Sequence, residues 1–199
     1  MNDMAPTDRD DTPSGARLHM GIAEQGKLYA LAGDHALALH YYRTAMRLAV
    51  EARDAEVFFR HYLDCVMESL EHMGAYHEVL AYCDKAIALY SERPPPNPLA
   101  IHDLAAIHLR RGATLLKAGD REAARGSLRS AISVARSAGG TLPLAQTLLR
   151  WLDAGFQVDA QRLLAEQKRQ QYFTVRRDSV DPSKAIQIAE AGPMHPGPR

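Results

Sequence analysis

The sequence has little cysteine, no excess of charge of either sign and no long apolar run. Its two cysteines, Cys65 and Cys83, are too few for a disulfide framework and lack metal-binding spacing, so we interpret both as free, buried side chains. A disulfide between them is the alternative, and it would require an oxidising compartment. Because Lys and Arg number 24 and Asp and Glu also number 24, nucleic acid is a disfavoured partner.

Signals for export, for a membrane span and for catalysis are also lacking. The first residues are polar and acidic, unlike a secretion signal, and no run of about 18 apolar residues occurs. We therefore expect a cytoplasmic protein without a membrane partner. The sequence contains no GxSxG, GxGxxG, phosphate-binding loop or HExxH. It thus predicts a protein that is not an enzyme and that has no cofactor.

What the sequence does have is helical periodicity interrupted by glycine. Four glycines each lie between two stretches with apolar residues at helical spacing, whereas alternating β-branched residues are scarce. They are Gly33, Gly74, Gly119 and Gly155. Residues 15–171 are predicted to form eight helices, paired as hairpins across these glycines. Residues 1–14 are expected to be a disordered lead, and residues 172–199 a tail.

Similar residues recur around the first three glycines. Seven residues before each glycine, and five, nine and twelve residues after it, the side chains are mostly small, small, large and small. The three sets are Gly26, Ala38, Tyr42 and Ala45; Met67, Val79, Cys83 and Ala86; and Gly112, Ala124, Leu128 and Ala131. Small residues let the two helices of a hairpin cross closely. Hairpins of this size cannot bury their apolar faces alone, so we expect an all-α fold, a right-handed α-solenoid of about four hairpins.

This pattern resembles the tetratricopeptide repeat, whose first helix carries a Leu-Gly pair and a Tyr and whose second carries Ala, an aromatic and Ala. The glycine spacings of 41, 45 and 36 residues exceed the family's period of about 34 residues, which indicates a long-helix variant. The resemblance implies a non-enzymatic adaptor or scaffold that binds a partner protein or peptide in a concave groove. A peptide- or ligand-sensing regulatory module and an accessory subunit of an enzyme complex are the alternatives.

The resemblance also implies that the first helix of each hairpin lines the groove. The candidate residues are Met20, Ala23, Lys27 and Leu31; His61, Asp64, Glu68, Glu71 and His72; and Leu109, Ala113, Leu116 and Lys117. Such a groove suits an extended or helical peptide with apolar anchors and a basic residue. A metal site among the second hairpin's histidines and carboxylates is disfavoured, because a solvated polar helix face explains the same residues.

Charge separates along the chain. Residues 51–85 hold eight acidic and three basic side chains, whereas residues 110–136 hold seven basic and two acidic ones. Arg121, Arg125 and Arg129 form a basic stripe on the sixth helix. We interpret the stripe as a solvated face with local ion pairs; an acidic partner or nucleic acid is the alternative, although aromatic side chains for base stacking are missing nearby. Opposite charges on neighbouring repeats also permit self-association.

The tail carries two further local signals. Asp181 followed by Pro182 is typical of a helix start, and it predicts a short helix over 182–191. A helix this short is not stable alone in water, so it docks on the solenoid or on a partner, or it is disordered. Ser179, within RRDSV, resembles a target of a basic-directed kinase.

Overall fold

The computed structural model describes residues 15–53 and 56–188, and in these ranges every regular element is helical. The predicted all-α fold is thereby confirmed. The helices are α1 Gly15–Leu31, α2 His35–Glu51, α3 Glu56–His72, α4 Tyr76–Glu92, α5 Pro98–Ala118, α6 Arg121–Ser137, α7 Pro143–Asp153 and α8 Ala160–Arg169. Single 3₁₀ turns follow at Arg177–Ser179 and Pro182–Lys184. The predicted lead, residues 1–14, lies outside the described residues.

The chain divides into two compact units. Of the described residues, the first contains 15–53, 56–66 and 177–188, and the second contains 67–176. The division falls inside α3, and it also falls inside the predicted tail. The predicted bounds of the repeat domain, 15–171, and of the tail, 172–199, stay predictions. The right-handed solenoid stays a prediction.

Glycine ends the helices as the sequence indicates. Gly33, Gly74, Gly119 and Gly155 all have positive φ, between 72° and 89°. At Gly119 the glycine N–H donates to the carbonyl of Leu116 at 3.2 Å, and the next N–H, of Asp120, donates to Leu115 at 3.0 Å. This paired turn uses carbonyls that have no partner within the helix, and it requires a left-handed residue that glycine provides without strain.

The predicted close crossings are present in two hairpins. In the first unit α1 packs on α2, where a Cβ added at Gly26 would lie 2.8 Å from Cε1 of the buried Tyr42. In the second unit α5 packs on α6, where a Cβ at Gly112 would lie 2.8 Å from Cγ of the buried Leu128. Both glycines are therefore required by contact between helices rather than by backbone conformation.

The core of the second unit takes in part of the predicted groove. Leu109, Ala113 and Leu116 are buried in one apolar cluster to which α7 contributes Leu148 and α8 contributes Leu163. Ala113 and Leu116 are therefore core residues of this unit, whereas Leu109 also borders an open cleft. Within the described residues, no helix combines the length and the apolar composition that crossing a bilayer requires.

Candidate functional site

In the second unit, α8 ends in a turn that directs the chain onto α3 and α5. The N–H of Tyr172 donates to the carbonyl of Gln167 at 2.9 Å, and Gln171 adopts a φ of +52°. At other helix ends a glycine occupies the left-handed position of this kind of turn. Here Gln171 occupies it, and its side chain makes that conformation sterically unfavourable. Residues 172–176 then run without helical structure. We call them the docked segment.

Glu71, in the last turn of α3, is the centre of a buried polar cluster. Its carboxylate accepts hydrogen bonds from Lys117 Nζ at 2.7 Å, from Gln167 Nε2 at 2.8 Å and from the Tyr172 hydroxyl at 2.9 Å. Arg110 Nη1 lies 3.9 Å away. The side chains of Glu71 and Lys117 are 0% and 5% exposed. Opposite charge and direct hydrogen bonds compensate the desolvation of this carboxylate.

Glu68, one turn earlier on α3, binds the backbone of the docked segment. Its two carboxylate oxygens accept the successive N–H groups of Thr174 and of Val175, the latter at 3.0 Å. Burial raises the pKa of Glu68, and the positive charge of Arg110 and the two amide hydrogen bonds offset this rise only in part. Together, Glu68 and Glu71 with their partners form what we call the Glu68–Glu71 site.

Phe173 is the apolar anchor of the docked segment. It is buried, with its ring centroid 4.6 Å from that of His72 and 5.0 Å from that of Tyr172. Lys117 Nζ lies 5.7 Å from the same ring, within reach of a cation–π interaction. His72 and Lys117, both predicted to line a groove, thus contact the chain's own aromatic side chain.

Tyr172 and Cys83 both hold their protons near neutral pH. Burial and the adjacent charge of Glu71 hold the pKa of Tyr172 well above its ordinary value, so its hydroxyl stays a hydrogen-bond donor. Burial raises the pKa of Cys83 to about 12. Because the thiolate is the reactive form, Cys83 is inert near neutral pH. Cys65 and Cys83 are both free and buried, as the sequence predicts.

In the first unit, residues 181–188 lie on α1. The N–H of Ile186 donates to the carbonyl of Gly21 at 2.9 Å, and the N–H of Asp181 donates to Glu24. A Cβ at Gly21 would lie 2.9 Å from the carbonyl oxygen of Lys184 and would overlap the Ile186 side chain. Glycine is therefore needed at position 21, where the two backbones approach closely. The Glu24 carboxylate on α1 accepts a backbone N–H, as the Glu68 carboxylate does in the second unit.

The prediction of a helix over 182–191 is wrong for residues 182–188. Pro182–Lys184 forms one 3₁₀ turn, and the next four residues have no helical structure. Asp181 caps this turn through Ser183, as its sequence indicates, but the N–H of Ile186 pairs with α1 instead of continuing the helix. Residues 189–191 lie outside the described residues.

The remaining groove candidates of the first unit differ in exposure and in their partners. Ala23 is buried, Lys27 pairs with Glu24 at 2.8 Å and Met20 is 44% exposed. Leu31 and Asp64 are half-buried. His61 is half-buried as well, and burial, assisted by the charge of Lys27, lowers its pKa. Across the described parts of the chain, no three side chains of the metal-ligating types are close enough to share an ion.

The basic stripe on α6 contacts the end of α7. Arg121 donates to the carbonyl of Phe156 at 2.9 Å, and Arg125 donates to Asp153 at 3.0 Å. Arg129 lies 3.9 Å from the same Asp153. Carbonyls at a helix C-terminus favour nearby cations. This geometry agrees with the interpretation of the stripe as a face with local ion pairs.

An open cleft of about 610 Å³ adjoins the Glu68–Glu71 site, since Arg110 and Tyr172 belong to both. The other residues that line it are Ala106, Leu109, Leu142, Pro143, Leu144, Thr147, Arg169, Gln170 and Gln171. Its volume lies within the usual range of small-molecule pockets, and its lining combines apolar side chains with polar and charged ones.

Arg110, Gln167 and the docked segment, residues 172–176, were not predicted from the sequence as parts of a site. One signal was present, because two aromatic residues follow each other where the helical periodicity stops. Such a pair at the start of a tail indicates that the tail packs on something. Compared with protein-family models, with curated proteins and with solved structures, the chain shows no match.

Proposed function

We propose that the protein is a non-enzymatic adaptor of the tetratricopeptide type, which binds a polypeptide segment of a partner protein at the Glu68–Glu71 site. The observation that carries the proposal is the pair of hydrogen bonds that Glu68 accepts from two successive backbone amides. Backbone amides are present in every polypeptide, so a carboxylate that accepts two of them recognises a chain in one conformation rather than one side chain.

The site also has the composition of a peptide-binding surface. It offers a hydrogen-bond acceptor in Glu71, a flat ring in His72 and a cation in Lys117, all on helices. Groups on rigid elements bind with little loss of conformational entropy. The occupant has the buried Phe173 as its apolar anchor and also contains a basic residue, Arg176, two features of the ligand that the sequence favoured.

Photo-crosslinking of a peptide added in trans tests this function. The full-length Val175→Pro variant loses one of the two amides that Glu68 binds, so its own docked segment is weakened. A peptide with the sequence of residues 170–178, carrying a photoreactive phenylalanine at the position of Phe173, is expected to crosslink to the ends of α3 and α5. Adding Glu68→Gln should reduce the yield, and adding Arg129→Ala, on the exposed face of α6, should not. Crosslinks spread over the surface, or none, would refute peptide binding at this site.

The cleft beside Tyr172 favours a second candidate, a ligand-sensing regulatory module. A small molecule in this cleft would contact Arg110 and Tyr172, which belong to the Glu68–Glu71 site. Thermal-shift screening of small molecules against the full-length protein tests this candidate, with Thr147→Leu as the variant that narrows the cleft. A stabilising compound whose effect survives that substitution would argue against the cleft.

A further inference from the structure

We propose that residues 172–176 are an intramolecular ligand, which competes with the partner for the Glu68–Glu71 site and reveals the partner's chemistry. The partner segment is a tyrosine followed by a second aromatic residue and then by two residues other than proline, each of which donates its backbone N–H to Glu68. This inference rests on the proposed function, because it names the ligand of that same site and the way in which access to it is regulated.

Each feature of the ligand follows from one contact. The tyrosine hydroxyl donates to Glu71 at 2.9 Å, and phenylalanine lacks that donor. The second ring lies against His72 and near the ammonium of Lys117. The two N–H groups that Glu68 accepts exclude proline at either position.

The site is preformed without the docked segment. If Tyr172 leaves, Glu71 keeps its hydrogen bonds to Lys117 and to Gln167, which lie on α5 and α8. The buried charges therefore stay compensated in the open state. A cluster that existed only to hold the segment in place would lose its pairing when the segment leaves.

Departure of the segment also costs less than departure of a core element. Phe173 is the one buried residue among 172–176, and its four neighbours are half-buried. Glu68, whose desolvation raises its pKa, returns to water when the two amides leave. The left-handed backbone of Gln171 relaxes at the same time. These three features make the docked segment exchangeable with a segment from another chain.

Fluorescence anisotropy with a labelled peptide of residues 170–178 tests the inference on full-length protein. The peptide is expected to bind the Val175→Pro variant at least tenfold more tightly than the wild type, in which the intact segment competes. A peptide with proline at the position of Val175 should not bind, whereas proline at the position of Asp178, beyond residues 172–176, should be tolerated. Phenylalanine at the position of Tyr172 should weaken binding severalfold.

The outcomes separate the two proposals. Equal affinity for wild type and for Val175→Pro would overturn the competition and leave peptide binding intact. No binding to either protein would overturn peptide binding itself. Unchanged affinity of the Tyr-to-Phe peptide would overturn the ligand chemistry.

Hydrogen exchange of the wild-type protein gives a test that needs no variant to fold. The amides of Thr174 and Val175 are expected to exchange at least tenfold faster than those of Leu115 and Leu116 in α5, because segment opening precedes global unfolding. Equal, slow exchange at all four would show that the segment leaves only when the unit unfolds, and would overturn the inference.

Discussion

Removal of the charge of Glu71 should destabilise the second unit far more than a surface substitution does. Lys117 is 5% exposed and donates to Glu71 at 2.7 Å. Glu71→Gln keeps the shape of the side chain but leaves that ammonium buried without its anion. Breaking a buried pair in this way costs about 3–5 kcal/mol. We expect a loss at the low end, about 3 kcal/mol, because glutamine still accepts one hydrogen bond.

The assay is urea unfolding followed by the fluorescence of Trp151. It is the one tryptophan of the sequence and lies on α7, so it reports on the second unit alone. With a denaturant slope of about 2 kcal/mol per M, a loss of 3 kcal/mol lowers the urea midpoint by about 1.5 M. Arg129→Ala, on the same unit but exposed, is the matched control and should shift the midpoint by less than about 0.3 M.

A double variant separates charge pairing from general disruption. Glu71→Gln with Lys117→Met removes both charges, and it should recover at least about half of the stability lost in the single variants, because neither charge is then left buried alone. Additive losses in the double variant, or a single-variant loss below about 1 kcal/mol, would refute the reasoning that a compensated ion pair lies at the centre of this unit.

Three further predictions concern the backbone and pH. Gly112→Ala should destabilise the protein, since overpacking at the α5–α6 crossing costs about 1–3 kcal/mol. Gly126→Ala, with open space around it, should instead raise the stability by about 1 kcal/mol. Thermal unfolding compares the two variants, and equal effects would contradict the close crossing. Gln171→Gly should stabilise the protein by about 0.5–1 kcal/mol. Glycine removes the steric strain of an L residue in the left-handed conformation, and this gain exceeds the cost of a more flexible unfolded chain. A lower melting temperature would count against strain at this turn. The pKa of Glu68 is raised from 4.5 in the folded protein, so the folded state binds this proton more tightly than the unfolded state does. The contribution of Glu68 protonation to stability is therefore full below pH 4.5 and is lost as the pH rises through the raised pKa. Unfolding of wild type and of Glu68→Gln at several pH values checks this, and parallel pH profiles would contradict it.

Local features of the fold were predictable because their causes are local. Asp34, Asn97 and Asp120 each accept an N–H three residues ahead, at 2.9–3.0 Å, as residues of these types do at a helix start. The glycine turns need only the steric freedom of glycine. The pairing of Gly112 with Leu128 follows from the regular geometry of a helical hairpin. Each of these depends on residues close together in the sequence.

The candidate site was beyond sequence reasoning because its contacts join distant parts of the chain. Glu71 and Tyr172 are 101 residues apart, and Glu68 and Thr174 are 106 apart. Glu68, Glu71, His72 and Lys117 lie on α3 and α5, but the family resemblance implied that they line an open groove. The docked segment that covers them has no counterpart in the repeat pattern, and so it was missed.

Gln167 and Tyr172 reach the same carboxylate from either side of one turn, and this sets a strict length requirement. Each residue added to a helix rotates the chain beyond it by about 100°. A single insertion between Gln167 and the end of α8 at Arg169 would therefore swing Tyr172 to another side of the helix axis and separate the amide from the phenol. Natural variants of this protein should tolerate changes of side chain along the exposed face of α8 far more readily than changes in the number of residues between Gln167 and Tyr172.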